Sequence, residues 1–410
     1  MRIGRLSPFR VRAFRFQWPA DLLTSWASEM ETLILGWYIL VETGSVLLLT
    51  VFGALQFLGT MIAPLVGVAG DRIGHRNVLC AMRAVYMLLA ATLMTLAFAH
   101  ALSPLLVLGI VALNGMVRPA DMGVRTALIA HTVASDRLIG ALGIARTTVD
   151  SARVAGALAG AGLVVAFGVG PAYVAVTGFY AAGALLTLGV TTPQSHERAQ
   201  GLPARLQSPW HDLKEGVRYV RATRGLHAAT WLAFLVNATA YPVSNGLLPY
   251  VARDVYGIDQ TGLGYLVASF ASGSLVGSIC LALAGGRVRL QRVLIASCTG
   301  WYALLLVLGQ TRSTTGGILC LMLAGFTQSL CMVSLAGILM HATDPRFRGR
   351  VMGVRMLAIY GLPFGLVGAG ALVGRIGFGS TATIYAIVGL VLTLMTAVRW
   401  RSDVWQPAEP

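Results

Sequence analysis

Three acids lie inside the first long apolar run of this chain, Asp21, Glu29 and Glu31, within the stretch WPADLLTSWASEMETLILGWYIL. A charge in hydrocarbon costs at least about 2.5–3.5 kcal/mol, so each must face a cavity or a partner. At 100° per residue Glu29 and Glu31 point about 160° apart and cannot share a helix face. Further on, Arg118, Asp121 and Arg125 recur at i, i+3 and i+7, and Arg146, Asp150 and Arg153 at i, i+4 and i+7. Each trio forms one stripe along a helix. Counted from the helix ends, Arg118, Arg146 and Asp150 come to the same depth as Glu29 and Glu31. A carboxylate balanced between burial and a neighbouring guanidinium can take up and release a proton as its surroundings change. Glu31, Glu29, Asp150 and Asp21 are therefore the proton-exchange candidates. Asn114, Arg118 and Arg146 are candidates to line a polar cavity.

The C-terminal half offers Asn237, Tyr241, Asn245 and Gln328 but no acid at mid-depth. These residues read as a neutral wall of the same cavity, or as hydrogen bonds that join helices. Any one of the charges reads equally well as half of a structural pair. The cluster as a whole favours function.

The elements that position these groups follow from composition. Of 410 residues 56% are hydrophobic and 11% charged, against about 25% charged in an ordinary soluble chain, which excludes a water-solvated globule. Long continuous apolar runs, rather than short alternating ones, exclude a β-barrel. The runs predict spans near 17–40, 46–69, 78–99, 104–128, 138–166, 171–190, 227–250, 262–283, 293–309, 316–340, 352–373 and 381–398. Their connections alternate between arginine-rich and arginine-poor, which by the positive-inside rule places both termini in the cytoplasm of a bacterial inner membrane. The net charge of +15 is thereby assigned to membrane topology rather than to nucleic acid. Residues 191–226 form the longest polar segment, and SPWHDLKEGVRYVRATRGL within it has the charge pattern of a surface amphipathic helix. Thr43, Gly44, Gly59 and Gly67 recur 218 residues later as Thr261, Gly262, Gly277 and Gly285. The chain thus reads as an all-α membrane protein of two pseudo-symmetric six-helix bundles, 1–190 and 227–410, joined by a linker. Pro242 and Pro363 mark expected kinks. The five cysteines form no CxxC pair, and the seven histidines lie near predicted span ends, so no metal cluster is indicated.

Between the second and third spans the sequence reads GVAGDRIGHRN, with Gly67, Asp71, Arg72, Gly74 and Arg76. This resembles the GxxxDRxGxR signature of the major facilitator superfamily. DMGVRTALIAHTV, DLKEGVRYVR, LPYVARDVYG and DPRFRGRVMG are similar to later landmarks of its bacterial drug and siderophore exporter branch, which includes the enterobactin exporter. The chain departs from that branch at Gly123, where proline is usual, and at GALAG (156–160), which lacks the antiporter-type Gly-Pro. The resemblance implies a monomeric secondary transporter in which Gly67, Asp71, Arg72, Gly74 and Arg76 form a cytoplasmic latch, with Asp121 pairing to Arg72 or Arg76. It implies efflux of a small organic molecule by alternating access, exchanged for protons. The alternatives within the same fold are an uncoupled facilitator or a lipid or lysolipid flippase. No cofactor is called for. An enzyme is disfavoured, since no HExxH, P-loop or GxSxG element is present.

Overall fold

The computed structural model describes residues 7–191, 209–284, 289–344 and 347–400. Within them nearly every residue is helical. The first half runs through α1 (Arg12–Thr43), α2 (Val46–Leu55), α3 (Ala63–Ile73), α4 (His75–Phe98), α5 (Pro104–Thr132), α6 (Ser135–Phe167) and α7 (Val169–Leu188). A short α8 (Pro209–Ala222) leads into α9 (Arg224–Tyr241), α10 (Leu248–Tyr250), α11 (Gln260–Ala284), α12 (Leu290–Gln310), α13 (Thr314–His341), α14 (Arg348–Ala358) and α15 (Gly361–Arg399).

Eight described segments are long and apolar enough to cross a membrane by length and composition alone, and one of them, Gly353–Arg399, is 47 residues long. A crossing takes about 20 residues. That segment therefore crosses twice, turning at Gly377, whose φ of +79° a residue with a side chain rarely adopts. The helix α1 fails the test of apolarity because it carries the acids. The second span is divided, α2 and α3 being separated by a 3₁₀ turn, and the seventh, α9, carries Arg224, His227 and Asn237 in its 18 residues before it gives way to π-helical turns. Counting these three, the described residues make the twelve crossings expected from the sequence.

Proline explains the expected kinks. Its ring clashes with the carbonyl four residues earlier and donates no hydrogen bond. At Pro242 the chain widens into π-helix over Pro242–Gly246. Ahead of Pro363, the span expected at 352–373 breaks between α14 and α15, where Tyr360 and Leu362 bond three residues back, to Leu357 and Ile359.

The chain divides into two compact units, Met1–Tyr38 with Leu55–Gln207, and Ile39–Ala54 with Ser208–Pro410. In the first, glycines let the spans approach closely. A Cβ on Gly59 would sit 1.9 Å from the Met116 carbonyl, and one on Gly115 would meet the Leu55 carbonyl. Gly156 and Gly160 of α6 lie against α1 at Trp26, Glu29 and Met30, a small-xxx-small contact. In the second unit, α11 and α13 cross through Gly273 against Met322 and Gly325 against Phe270. The second and fourth spans of each half thus meet through glycine. Gly285 of the sequence repeat lies outside the described residues.

The core of the second unit is built on the fully buried Trp301 and Tyr302 of α12. Segment 39–54 belongs to this unit: Arg253 donates to the Leu40 carbonyl, and Thr50 lies against Gly370. Helix α8 belongs to this unit as well, anchored on α14. Glu215 meets Arg350 at 3.0 Å, and Tyr219 stacks on Phe347 with ring centroids 4.4 Å apart.

Candidate functional site

The buried charges of the first unit include a neutral knot and, among the described residues, an acid that makes no ion pair. Asp21 on α1 is buried and bonded by Arg83 of α4, and the Arg125 Nε lies 3.6 Å from the same carboxylate. Arg125 meets Asp121 at 2.6 Å and donates to the Ser25 hydroxyl at 2.9 Å. Arg83 is completely buried and also donates to Thr187 of α7. Two acids and two guanidiniums cancel. They tie α1, α4, α5 and α7 together, and removing one member would strand a buried charge at a cost of about 3–5 kcal/mol.

Ten residues along α1, about 15 Å further, Glu31 has a different setting. Its carboxylate accepts from the Tyr180 hydroxyl at 2.9 Å and the Asn114 amide at 3.2 Å, both neutral donors. Among the described residues no guanidinium approaches it within 4 Å. Arg118, one turn from Asn114 on α5, donates to Thr32 at 3.0 Å and to Gln56. Glu31 and Arg118 are thus a carboxylate and a guanidinium that form no ion pair with each other, each held by neutral partners.

Asn114, Arg118, Asp121 and Arg125 of α5 and Tyr180 of α7 line one side of a cleft of about 180 Å³. Ser25, Ser28 and Glu29 of α1 and Arg153 of α6 line the other. Glu29 faces Arg153 at 3.9 Å. The Tyr86 hydroxyl and the Asn114 Oδ1 are buried here without a protein hydrogen-bond partner. The cleft can take a small molecule that offers both donors and acceptors.

Several sequence expectations are redirected. Arg146 does not line the cleft: it pairs with Asp150 at 3.2 Å with half its side chain exposed, and Arg153 takes its place. Asp150 is buried in that pair. Asp121 joins Arg125 rather than Arg72 or Arg76, because both residues lie on one stripe of α5, a single helical turn apart. Arg76 donates instead to the Leu188 carbonyl. Gly74 has a φ of +92°, as the turn between α3 and α4 demands, while Gly67 and Asp71 fall within α3 and their side-chain surroundings are not described. In the second unit Gln328 bonds Tyr241 and accepts from Ser274 at 3.1 Å. Asn237 bonds its own helix at the Ala233 carbonyl, and Asn245 its neighbour Ser244. These amides serve hydrogen bonds within the unit. The sequence reading missed Arg83, Gln56 and Tyr180. Arg83 was detectable as a charge inside an apolar run; the other two carry no signal of their own.

Twelve crossings, a glycine-mediated pair of spans in each half and buried charges around a polar cleft define a multi-pass helical membrane protein. The sequence profile of the Major Facilitator Superfamily matches residues 22–360 and 230–409, and the chain belongs to that family. It is 20% identical to macrolide efflux protein A of Streptococcus pyogenes over 400 residues, covering 93% of this chain and 97% of that one. Its fold matches the nucleoside transporter NupG with a TM-score of 0.68 at 14% identity, over 97% of this chain and 100% of the other. A D-xylose-proton symporter matches with a TM-score of 0.69 at 12% identity, over 96% and 97%.

Proposed function

We propose that this protein is a proton-coupled exporter of a small organic molecule, drug-like or siderophore-like, working by alternating access in a bacterial inner membrane with both termini in the cytoplasm. The observation that carries the coupling is the contrast between Glu31 and the other buried acids. Protonating Asp21, Asp121 or Asp150 would break an ion pair to an arginine, whereas protonating Glu31 breaks none. Asn114 and Tyr180, which hold Glu31, also line the cleft. A proton arriving on Glu31 releases their donors and changes the wall that a substrate touches, so proton and substrate exclude one another. Export is supported by the similarity to the macrolide efflux protein, and the symporter match supports proton coupling as chemistry that this fold accommodates.

The test is a transport panel. Protein in proteoliposomes with an internal pH indicator and an imposed pH gradient is offered a macrolide, a catecholate chelator, a nucleoside and lysophosphatidylethanolamine in turn. The proposal predicts that a macrolide-like or chelator compound dissipates the gradient and the others do not. Transport that leaves the gradient untouched would make the protein an uncoupled facilitator, and movement of the lysolipid alone would make it a flippase.

A further inference from the structure

A second polar pocket lies in the other unit, far in sequence from the cleft. Arg221 at the end of α8, Arg224 and His227 at the start of α9 and Arg399 at the end of α15 surround a groove of about 460 Å³ with Trp231 and Trp400. Among the described residues no acid lines it, and none of its three arginines pairs with a carboxylate. Arg399 instead lies over the Trp400 ring at 5.6 Å, and His227 packs on that ring at 5.7 Å. Exposed guanidiniums gathered without counter-charge repel one another, and an anion relieves that repulsion.

The surroundings specify which anion. Trp231 lies two turns further along α9 than Arg224, about 10 Å deeper, and stacks on Phe234. Both residues are more than a third exposed on a membrane-spanning helix. On its other side Trp400 also walls an apolar groove that includes Ala228, Leu232, Leu294 and Ile338. A cationic mouth at a span end, opening onto aromatic and aliphatic surface, matches a phosphate attached to acyl chains. Tryptophan at that depth is the usual residue of the membrane interface.

We infer that this groove is a binding site for an anionic glycerophospholipid of the leaflet that the arginine distribution assigns to the cytoplasm. Its phosphate sits among Arg221, Arg224 and Arg399, and its chains run over Trp231 and Phe234. The inference is independent of what the cleft transports.

Brominated lipids test it, because bromine quenches only tryptophan that it touches. The protein is reconstituted in phosphatidylcholine with increasing fractions of brominated phosphatidylglycerol or brominated phosphatidylcholine. The variant W231F/W400F supplies the background from the remaining tryptophans. Half-maximal quenching of Trp231 and Trp400 is expected at a phosphatidylglycerol fraction at least about fivefold lower than for phosphatidylcholine. Each arginine removed should weaken that preference by up to about fivefold. R221Q/R224Q/R399Q should lose the preference, and the lysine trio R221K/R224K/R399K should retain it, which separates charge from misfolding. Equal quenching by both lipids, loss in the lysine trio or survival in the glutamine trio would overturn the site. Erasure of the preference by millimolar inorganic phosphate would assign the groove to a soluble anion instead.

Discussion

At the residue scale the first unit shows two ways of keeping a charge in a membrane. Asp21 and Arg83 neutralise each other, and each makes the other tolerable. D21N should therefore lower stability by about 3–5 kcal/mol by leaving Arg83 bare, while D21N/R83M should regain most of the loss. A thermal melt of the detergent-solubilised protein, run as a double-mutant cycle, reads this directly. Equal destabilisation of the single and double variants would mean that the pair contributes only packing. Glu31 depends on neutral donors, so Y180F should be milder for folding, about 1.5–3 kcal/mol, and act mainly on transport. The stripes were legible in the sequence because a charge in an apolar run is conspicuous and helical spacing gives its face. Partners were not, because they depend on the rotation of neighbouring helices. Spacing alone could not separate Asp121 bonding to Arg125 from Asp121 reaching Arg76, and Tyr180, 149 residues from Glu31, left no trace.

At the scale of elements, glycine decides where spans meet. Gly156 and Gly160 bring α6 against α1 beside Glu29, whereas Gly162, on the same helix, has open space where a Cβ would go. G160V should cost about 1–3 kcal/mol and displace α1 from the cleft. G162A should be neutral or stabilising by up to about 1 kcal/mol, since alanine is the better helix former. Expression and melting of the two variants check the contrast, and equal behaviour would contradict the α1–α6 contact. The twelve spans were readable because crossing length is imposed by the bilayer rather than by the chain. Their bends were readable because proline acts locally: the breaks fall at Pro242 and just ahead of Pro363. The crossing of α11 and α13 at Gly273 and Gly325 was not, since glycine is abundant in the chain and only those that meet a carbonyl matter.

At the scale of the whole molecule the charges are unevenly shared. Among the described residues the buried acid–arginine knots lie in the first unit, while the polar amides of the second, Asn237, Asn245 and Gln328, are satisfied inside it. On our account the first unit supplies the coupling, and its acids differ in role. Counterflow measures exchange of substrate without a driving gradient, whereas accumulation requires proton movement, so comparing them isolates coupling from binding. The decisive measurement is the pair of assays on E31Q, with E29Q and D150N as comparisons, using a compound identified by the transport panel. The account predicts that E31Q retains counterflow within about threefold of the unmodified protein and loses accumulation driven by a pH gradient, a tenfold change being about 1.4 kcal/mol. Undiminished gradient-driven accumulation by E31Q would contradict it.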